Sequence, residues 1–265
     1  MTDSGTTASS TLPLAVVTGA STGIGFELAR QCARRGFDLV IAADESEILD
    51  AAHRLRQEGA GVEAVEADLA TTEGVDRVLA VVGDRPVAAL LANAGRGLGH
   101  AFVDQAFADI RHVIDTNVTG TVYMVHQVAR RMLTCGEGRI LITGSIAGFM
   151  PGTYQAVYNG TKAFLDSFAF AIRAELQGTG VTVTCLMPGA TETDFFERAD
   201  MLDTRIGQSK KADPADVASQ GFAAMMAGDS DVVTGWQNKL RAAIASVLPS
   251  EVTAEQHRRM AQPRS

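Results

Sequence analysis

The chain reads as an α/β protein built on a parallel sheet with helices on both faces, and three observations predict this. Short apolar runs alternate with helix-period segments at least six times along the chain. The runs are almost continuously apolar, as strands covered on both faces must be. A glycine-rich turn follows the first run and opens the first helix, the place where a parallel α/β sheet receives an anion.

The elements follow in order. Leu14-Ala-Val-Val-Thr18 is the first strand, and the segment from Phe26 to Arg35 is a helix stopped by Gly36. Residues 39–43 form the second strand. Ile48, Leu49, Ala52 and Leu55 then mark one helix face. A third strand covers 62–67, followed by a helix carrying Val75, Val78, Leu79 and Val82, with Thr71 or Thr72 as its cap. Residues 87–92 and 139–143 are strands separated by a long helix at about 107–133. A second long helix spans 154–176, and a sixth strand 181–186. Asp213-Pro214 has the form of a cap with proline at the first helical position, starting a helix that runs to about Ala227.

Composition bounds the function. At about 150 residues per domain, 265 residues allow one or two domains. The unbroken rhythm argues for one, covering 12–265, behind a flexible Ser/Thr-rich tail at 1–11 and ending in a mixed, helical tail at 238–265. With 23 basic and 31 acidic residues the net charge is −8, which argues against nucleic acid or an anionic membrane as main partner. No apolar run approaches the roughly 18 residues of a membrane span. The first residues lack the basic and apolar regions of a secretory signal. Cys32, Cys135 and Cys185 are odd in number and widely spaced, so they build neither a disulfide framework nor a zinc site, and no metal is expected. A cytoplasmic protein is the expectation.

The turn Gly19-Ala-Ser-Thr-Gly23-Ile-Gly25 lets backbone approach a pyrophosphate, with the helix N-terminus offering free N–H groups. Its G-x-x-x-G-x-G spacing differs from the usual G-x-G-x-x-G. Asp44, at the end of the second strand, is placed to meet a ribose 2′-hydroxyl. No Arg or Lys lies in 42–48 or in the turn to answer a 2′-phosphate. The alternative role for Asp44 is a cap on the next helix. Asp68 and Leu69 end the third strand, where an adenine edge would lie. Tyr158 and Lys162 stand four apart on one helix face, so an ammonium is expected to lower the pKa of the phenol. Ser145, just after the fifth strand, can hold a carbonyl beside the tyrosine.

Taken together, Gly19-x-x-x-Gly23-Ile-Gly25, Asn93-Ala94-Gly95, Asn117, Ser145, Tyr158-x-x-x-Lys162 and Pro188-Gly189 resemble, in order and spacing, the short-chain dehydrogenase/reductase family over about 12–200. The resemblance implies a Rossmann-type doubly wound sheet of about seven strands and hydride transfer between a nicotinamide and a carbonyl or alcohol. By the same resemblance Tyr158 is the proton donor or acceptor. Lys162 tunes it and holds the nicotinamide ribose, and Ser145 polarises the carbonyl. Asn117 holds a relay water. Gly19, Ser21, Thr22, Gly23, Ile24, Gly25, Asp44, Asp68, Leu69, Asn93, Ala94, Gly95, Pro188, Gly189, Thr191 and Thr193 border the dinucleotide.

In the NAD-preferring pattern the acid falls at the position of Ala43, one residue before Asp44. A carboxylate at either place repels a phosphate, so NAD(H) is expected, with NADP(H) second. The C-terminal region lacks the Val-Asp-Gly-Gly ending of many acyl-carrier-protein ketoreductases, which speaks against that role and against a tetramer. The family otherwise implies a homodimer or homotetramer through the long helices.

Residues 190–212 correspond to the family's mobile substrate lid and carry Phe195, Phe196, Met201 and Leu202. With Phe149, Met150 and Tyr154 as opposite wall, a hydrophobic or aromatic ketone is the expected substrate. Arg96, Gly97, Gly99 and His100 are candidates for the entrance. Two other functions compete. Gly19-Ala20-Ser21-Thr22-Gly23 also matches the G-x-S-x-G of a serine hydrolase, but that chemistry needs a later histidine at a strand end, and His257 falls in the tail. A non-catalytic dinucleotide-binding regulator normally goes with a broken tyrosine or lysine, and both are intact.

Overall fold

The structure is a computed structural model that describes residues 12–235 and 249–262. The expected tail at 1–11 lies outside the described residues, as do 238–248 and 263–265 of the expected C-terminal tail.

Seven strands form one parallel sheet: β1 (Leu14–Thr18), β2 (Asp38–Ala43), β3 (Val62–Glu66), β4 (Val87–Ala92), β5 (Gly138–Thr143), β6 (Val181–Met187) and β7 (Asp231–Val233). Their order is β3-β2-β1-β4-β5-β6-β7, so the chain reverses direction across the sheet between β1 and β4. Ligands of open α/β sheets bind above the carboxyl ends of strands at such a switch point.

The near-continuous apolar strands are explained by a period of two between opposite cores. Leu14 and Val16 of β1 enter one core, with Leu90 of β4 and Ile140 of β5. Ala15, Val17, Leu91 and Leu141 enter the other. The first core is covered by α3 (Thr72–Val82), α5 (Thr121–Cys135) and α6 (Ala156–Glu175). The second lies under α1 (Gly23–Arg34), α2 (Glu47–Arg56) and α8 (Pro214–Ala227). Fully burying one large apolar side chain such as Leu90 or Phe222 contributes about 1.5–3 kcal/mol, so the sheet is held mainly by these two layers.

Two caps match the sequence reading. The Thr71 hydroxyl accepts from Gly74 N, and Asp213 accepts from Ala215 N ahead of Pro214. The helix expected at 107–133 is built in three parts: α4 (Phe107–Ile114), a π-helical stretch (Asp115–Gly120) and α5. The helix expected from 154 starts at Ala156 instead. Tyr154 stands before it with φ of 66°, in the left-handed region. Two short helices complete the site: α7 (Phe195–Arg198) and α9 (Ser250–Ala261).

Candidate active site

A cavity of about 1250 Å³ opens above the carboxyl ends of β1, β4, β5 and β6. Its floor at the switch point is the glycine turn. A Cβ on Gly19 would stand 2.8 Å from Ala94 Cα, and one on Gly25 would overlap the Gly19 carbonyl oxygen and lie 2.5 Å from Asn93 Nδ2. Gly19 and Gly23 also have φ of 63° and 57°. Asn93 braces the turn by donating through Nδ2 to the Thr18 and Gly19 carbonyls. Thr22 caps α1 without a side-chain bond, which leaves the first N–H groups of that helix open to an anion. A side-chain-free cradle at a helix N-terminus, with Asp44, Asp68 and Leu69 along one end of the cavity, fits a nicotinamide dinucleotide.

Among the expected dinucleotide residues, Gly25 is the one that does not line the cavity: it lies beneath the turn, where its lack of a side chain permits the close approach of Gly19. Asp44 does not cap α2, whose cap position is Ser46. Its carboxylate is 3.0 Å from Arg96 Nη1. Glu45 accepts a short hydrogen bond from the Ser21 hydroxyl and lies 2.8 Å from Arg198 Nη2. The expectation that no cation stands near this end of the site is therefore corrected. Both arginines come from distant parts of the chain, which a local window of sequence does not see.

Ser145, Tyr158 and Lys162 all line the cavity. Ser145 follows β5 and caps a 3₁₀ turn, its hydroxyl accepting from Ala147 N at 3.1 Å. Asn159 holds the same turn by donating to the Ala147 and Met150 carbonyls. Lys162 is buried and donates to the Thr143 carbonyl at 2.8 Å. Its Nζ lies 5.8 Å from the centre of the Tyr158 ring. Burial pushes the Tyr158 hydroxyl up to about 12, a hydrogen bond with Ser145 pulls it back, and Asp166 raises it. The expected lowering of the phenol by the ammonium is not what the structure gives. In the structure desolvation wins, because the same burial that brings the groups together disfavours the phenolate. Burial also lowers Lys162 to about 8, against the opposite pull of Asp166.

Asn117 does not line the cavity and is fully buried in the π-helical stretch. Its side-chain Oδ1 accepts from Arg96 N at 2.7 Å, while Nδ2 donates to the Arg96 carbonyl and to Thr161 Oγ1 at 2.9 Å each. The side-chain amide clamps the loop after β4 to α6.

The substrate end differs from expectation. Phe195 and Phe196 line it, with the Phe195 ring 5.0 Å from that of Tyr158. Phe149 and Tyr154 do not: Phe149 packs against the core on the α6 side, and Tyr154 packs with Phe196, Met201 and Ala261. With its backbone in the left-handed region, Tyr154 stands outside α6 and its ring joins that cluster instead. Leu202 is exposed and Met201 buried. Of the entrance candidates, Arg96 and Gly97 line the cavity, whereas Gly99 and His100 do not.

The wall is completed by α9, within the stretch expected as a mixed, helical tail. Thr253, Gln256, His257, Arg259 and Met260 face the cavity. The helix is pinned by Thr153 Oγ1 donating to the Ala254 carbonyl, and by Ile206 N donating to the Met260 carbonyl. His257 donates from Nδ1 to the Thr153 carbonyl at 2.9 Å, and burial lowers its pKa, so the ring is neutral with Nε2 as an acceptor. Among the described residues no cluster of His, Cys, Asp and Glu could hold a metal ion, and no helix is long and apolar enough to cross a membrane.

Comparison with known proteins agrees with the geometry. Residues 13–201 match the family model described as short chain dehydrogenase. The chain is 36% identical to a sulfoacetaldehyde reductase of Chromohalobacter salexigens, over 68% of this chain and 72% of that one. A short-chain dehydrogenase from Sphingobium yanoikuyae in complex with NADPH superposes with a TM-score of 0.79 at 28% identity, covering 90% of this chain and 96% of the other. A bulky-bulky ketone specific alcohol dehydrogenase from Comamonas testosteroni gives 0.75 at 27% identity, covering 93% and 99%.

Proposed function

The chain belongs to the short chain dehydrogenase family and is an NAD(P)-dependent oxidoreductase, and on that premise we propose that it interconverts a ketone and a secondary alcohol, with a bulky apolar compound as substrate. The observation that carries this reading is the convergence of Ser145, Tyr158 and Lys162 on one wall of a cavity whose floor is the glycine turn. A bound nicotinamide would supply or accept the hydride. Tyr158, protonated at neutral pH, gives its proton to the carbonyl oxygen in reduction. Ser145 donates to the same oxygen and so orients it. Lys162, anchored on the Thr143 carbonyl, holds a positive charge behind the phenol and within reach of a ribose.

Ile146, Met150, Phe195, Phe196, Ile206 and Met260 give the substrate end an apolar lining, with Gln155, Thr253, Gln256 and His257 among its polar groups. A second reading, a carbonyl compound with an acidic tail, has one observation in its favour. Arg205 and Lys210 also line the cavity and pair with no acid among the described residues. A panel of apolar and acidic ketones, run with NADH and NADPH, separates the two. Tyr158→Phe should lower kcat by about a hundredfold or more while cofactor affinity stays within a few-fold, because only the proton donor is lost. Turnover of Tyr158→Phe close to that of the parent would reject the assignment.

NAD(H) is the preferred cofactor in this reading, since a 2′-phosphate would meet Asp44 and Glu45 together. Arg96 and Arg198 soften that preference. We also place a homo-oligomer contact on α4 and α6, where Phe107, Phe164 and Phe170 are exposed.

A further inference from the structure

We propose that Asp166 is a positioning residue for the catalytic set, holding the Ser145 turn from behind and standing as the counter-charge to the Lys162 ammonium. The inference rests on the reading above and extends it to a residue that no motif contains. Asp166 lies one helical turn beyond Lys162 on α6, so the two share a face. It is buried, with Oδ1 accepting from Ser145 N at 3.2 Å and facing Cys185 Sγ at 3.5 Å. Its Oδ2 is buried and has no hydrogen-bond partner.

Room for the carboxylate is made by two glycines. A Cβ on Gly144 would overlap Oδ1, and one on Gly148 would overlap Oδ2. A carboxylate with one orphaned oxygen is costly to bury. Here it sits directly behind the residues that face the cleft. The titratable groups around it are Lys162 and Tyr158 on its own helix and Cys185 on β6, with Asp231 of β7 acting on Cys185 in turn. The turn at Ser145–Gly148 brings none. Burial raises Asp166 to about 6, leaving it ionised at neutral pH. Its negative charge then raises Lys162 and Tyr158.

The sign follows from these directions. Reduction needs both Tyr158 and Lys162 protonated, and Lys162 has the lower pKa, so the alkaline limb of kcat/KM reports Lys162. Removing the charge of Asp166 lets Lys162 fall further, and activity is lost at lower pH. Asp166→Asn keeps an oxygen for Ser145 N–H and deletes only the charge.

For side chains one helical turn apart in a protein interior, a shift of about one pH unit is expected in Asp166→Asn. The chain has four lysines, so the Lys162 amine can be followed directly by ¹⁵N NMR of labelled lysine, with Lys162→Met identifying its signal. A Lys162 titration and an alkaline limb both displaced downward, with KM for the ketone little changed, support the proposal. A Lys162 titration identical in parent and Asp166→Asn overturns it. Should Asp166→Asn fail to fold, the parent decides alone: its Lys162 signal must show a second inflection near the Asp166 titration, and a single inflection refutes the proposal. The NMR readout needs no turnover, so an absence of carbonyl reduction would count against the functional reading and not against Asp166.

Discussion

Replacing Asn117 with alanine tests how the loop after β4 is held to the catalytic helix. The side chain makes three hydrogen bonds from a fully buried position, two to the backbone of Arg96 and one to Thr161. At about 0.5–1.5 kcal/mol net for each bond, the loss is about 3 kcal/mol, before any cost of the polar groups left unpaired. For a chain of this size about 2–4 °C of melting temperature accompanies each kcal/mol, so a fall of about 6–12 °C is expected. Asn117→Asp is nearly isosteric and should be no better. The Thr161 hydroxyl already donates to the Tyr158 carbonyl, so a carboxylate oxygen would face two acceptors. Thermal melts at one pH, read beside kcat for the same samples, make the test. Because Thr161 adjoins Lys162, activity should fall along with stability. An Asn117→Ala protein that melts within about 2 °C of the parent and keeps its kcat would show that the clamp does not act as described.

The remaining predictions concern cofactor and assembly. Arg96→Ala should widen the preference for NADH over NADPH, by about tenfold in kcat/KM, because it removes the cation nearest a 2′-phosphate. Asp44→Ala should narrow it, and steady-state kinetics with both cofactors that moved in the opposite directions would reverse the assignment. Light scattering at micromolar concentration should give a dimer or larger, shifted toward monomer by Phe107→Asp. A parent that scatters as a monomer would remove the contact placed on α4 and α6.

The features legible in the sequence were those carried by local chemistry. The glycine turn, the cap at Asp213-Pro214 and the Tyr158–Lys162 spacing each act within a few residues, and the structure sets them where their spacing points. What sequence reading missed depends on distant chain segments meeting. Arg96 reaches Asp44 and Arg198 reaches Glu45 across long separations. Asp166 belongs to no motif, because only folding puts Gly144, Gly148 and Cys185 around it. Tyr154 differs for another reason: its left-handed backbone is not visible in the sequence, and its ring joins the cluster of Phe196, Met201 and Ala261.

The helix Ser250–Ala261 contributes five residues to the cleft yet lies beyond the span matched by the family model at 13–201. One wall of the cleft and the Ser145, Tyr158 and Lys162 set are thereby carried by separate stretches of polypeptide. Reshaping the far wall requires changing a single amphipathic segment, docked at Thr153 and Ile206, while the proton-transfer groups stay untouched. A chimera carrying another family member's terminal segment would be the natural way to retarget this scaffold.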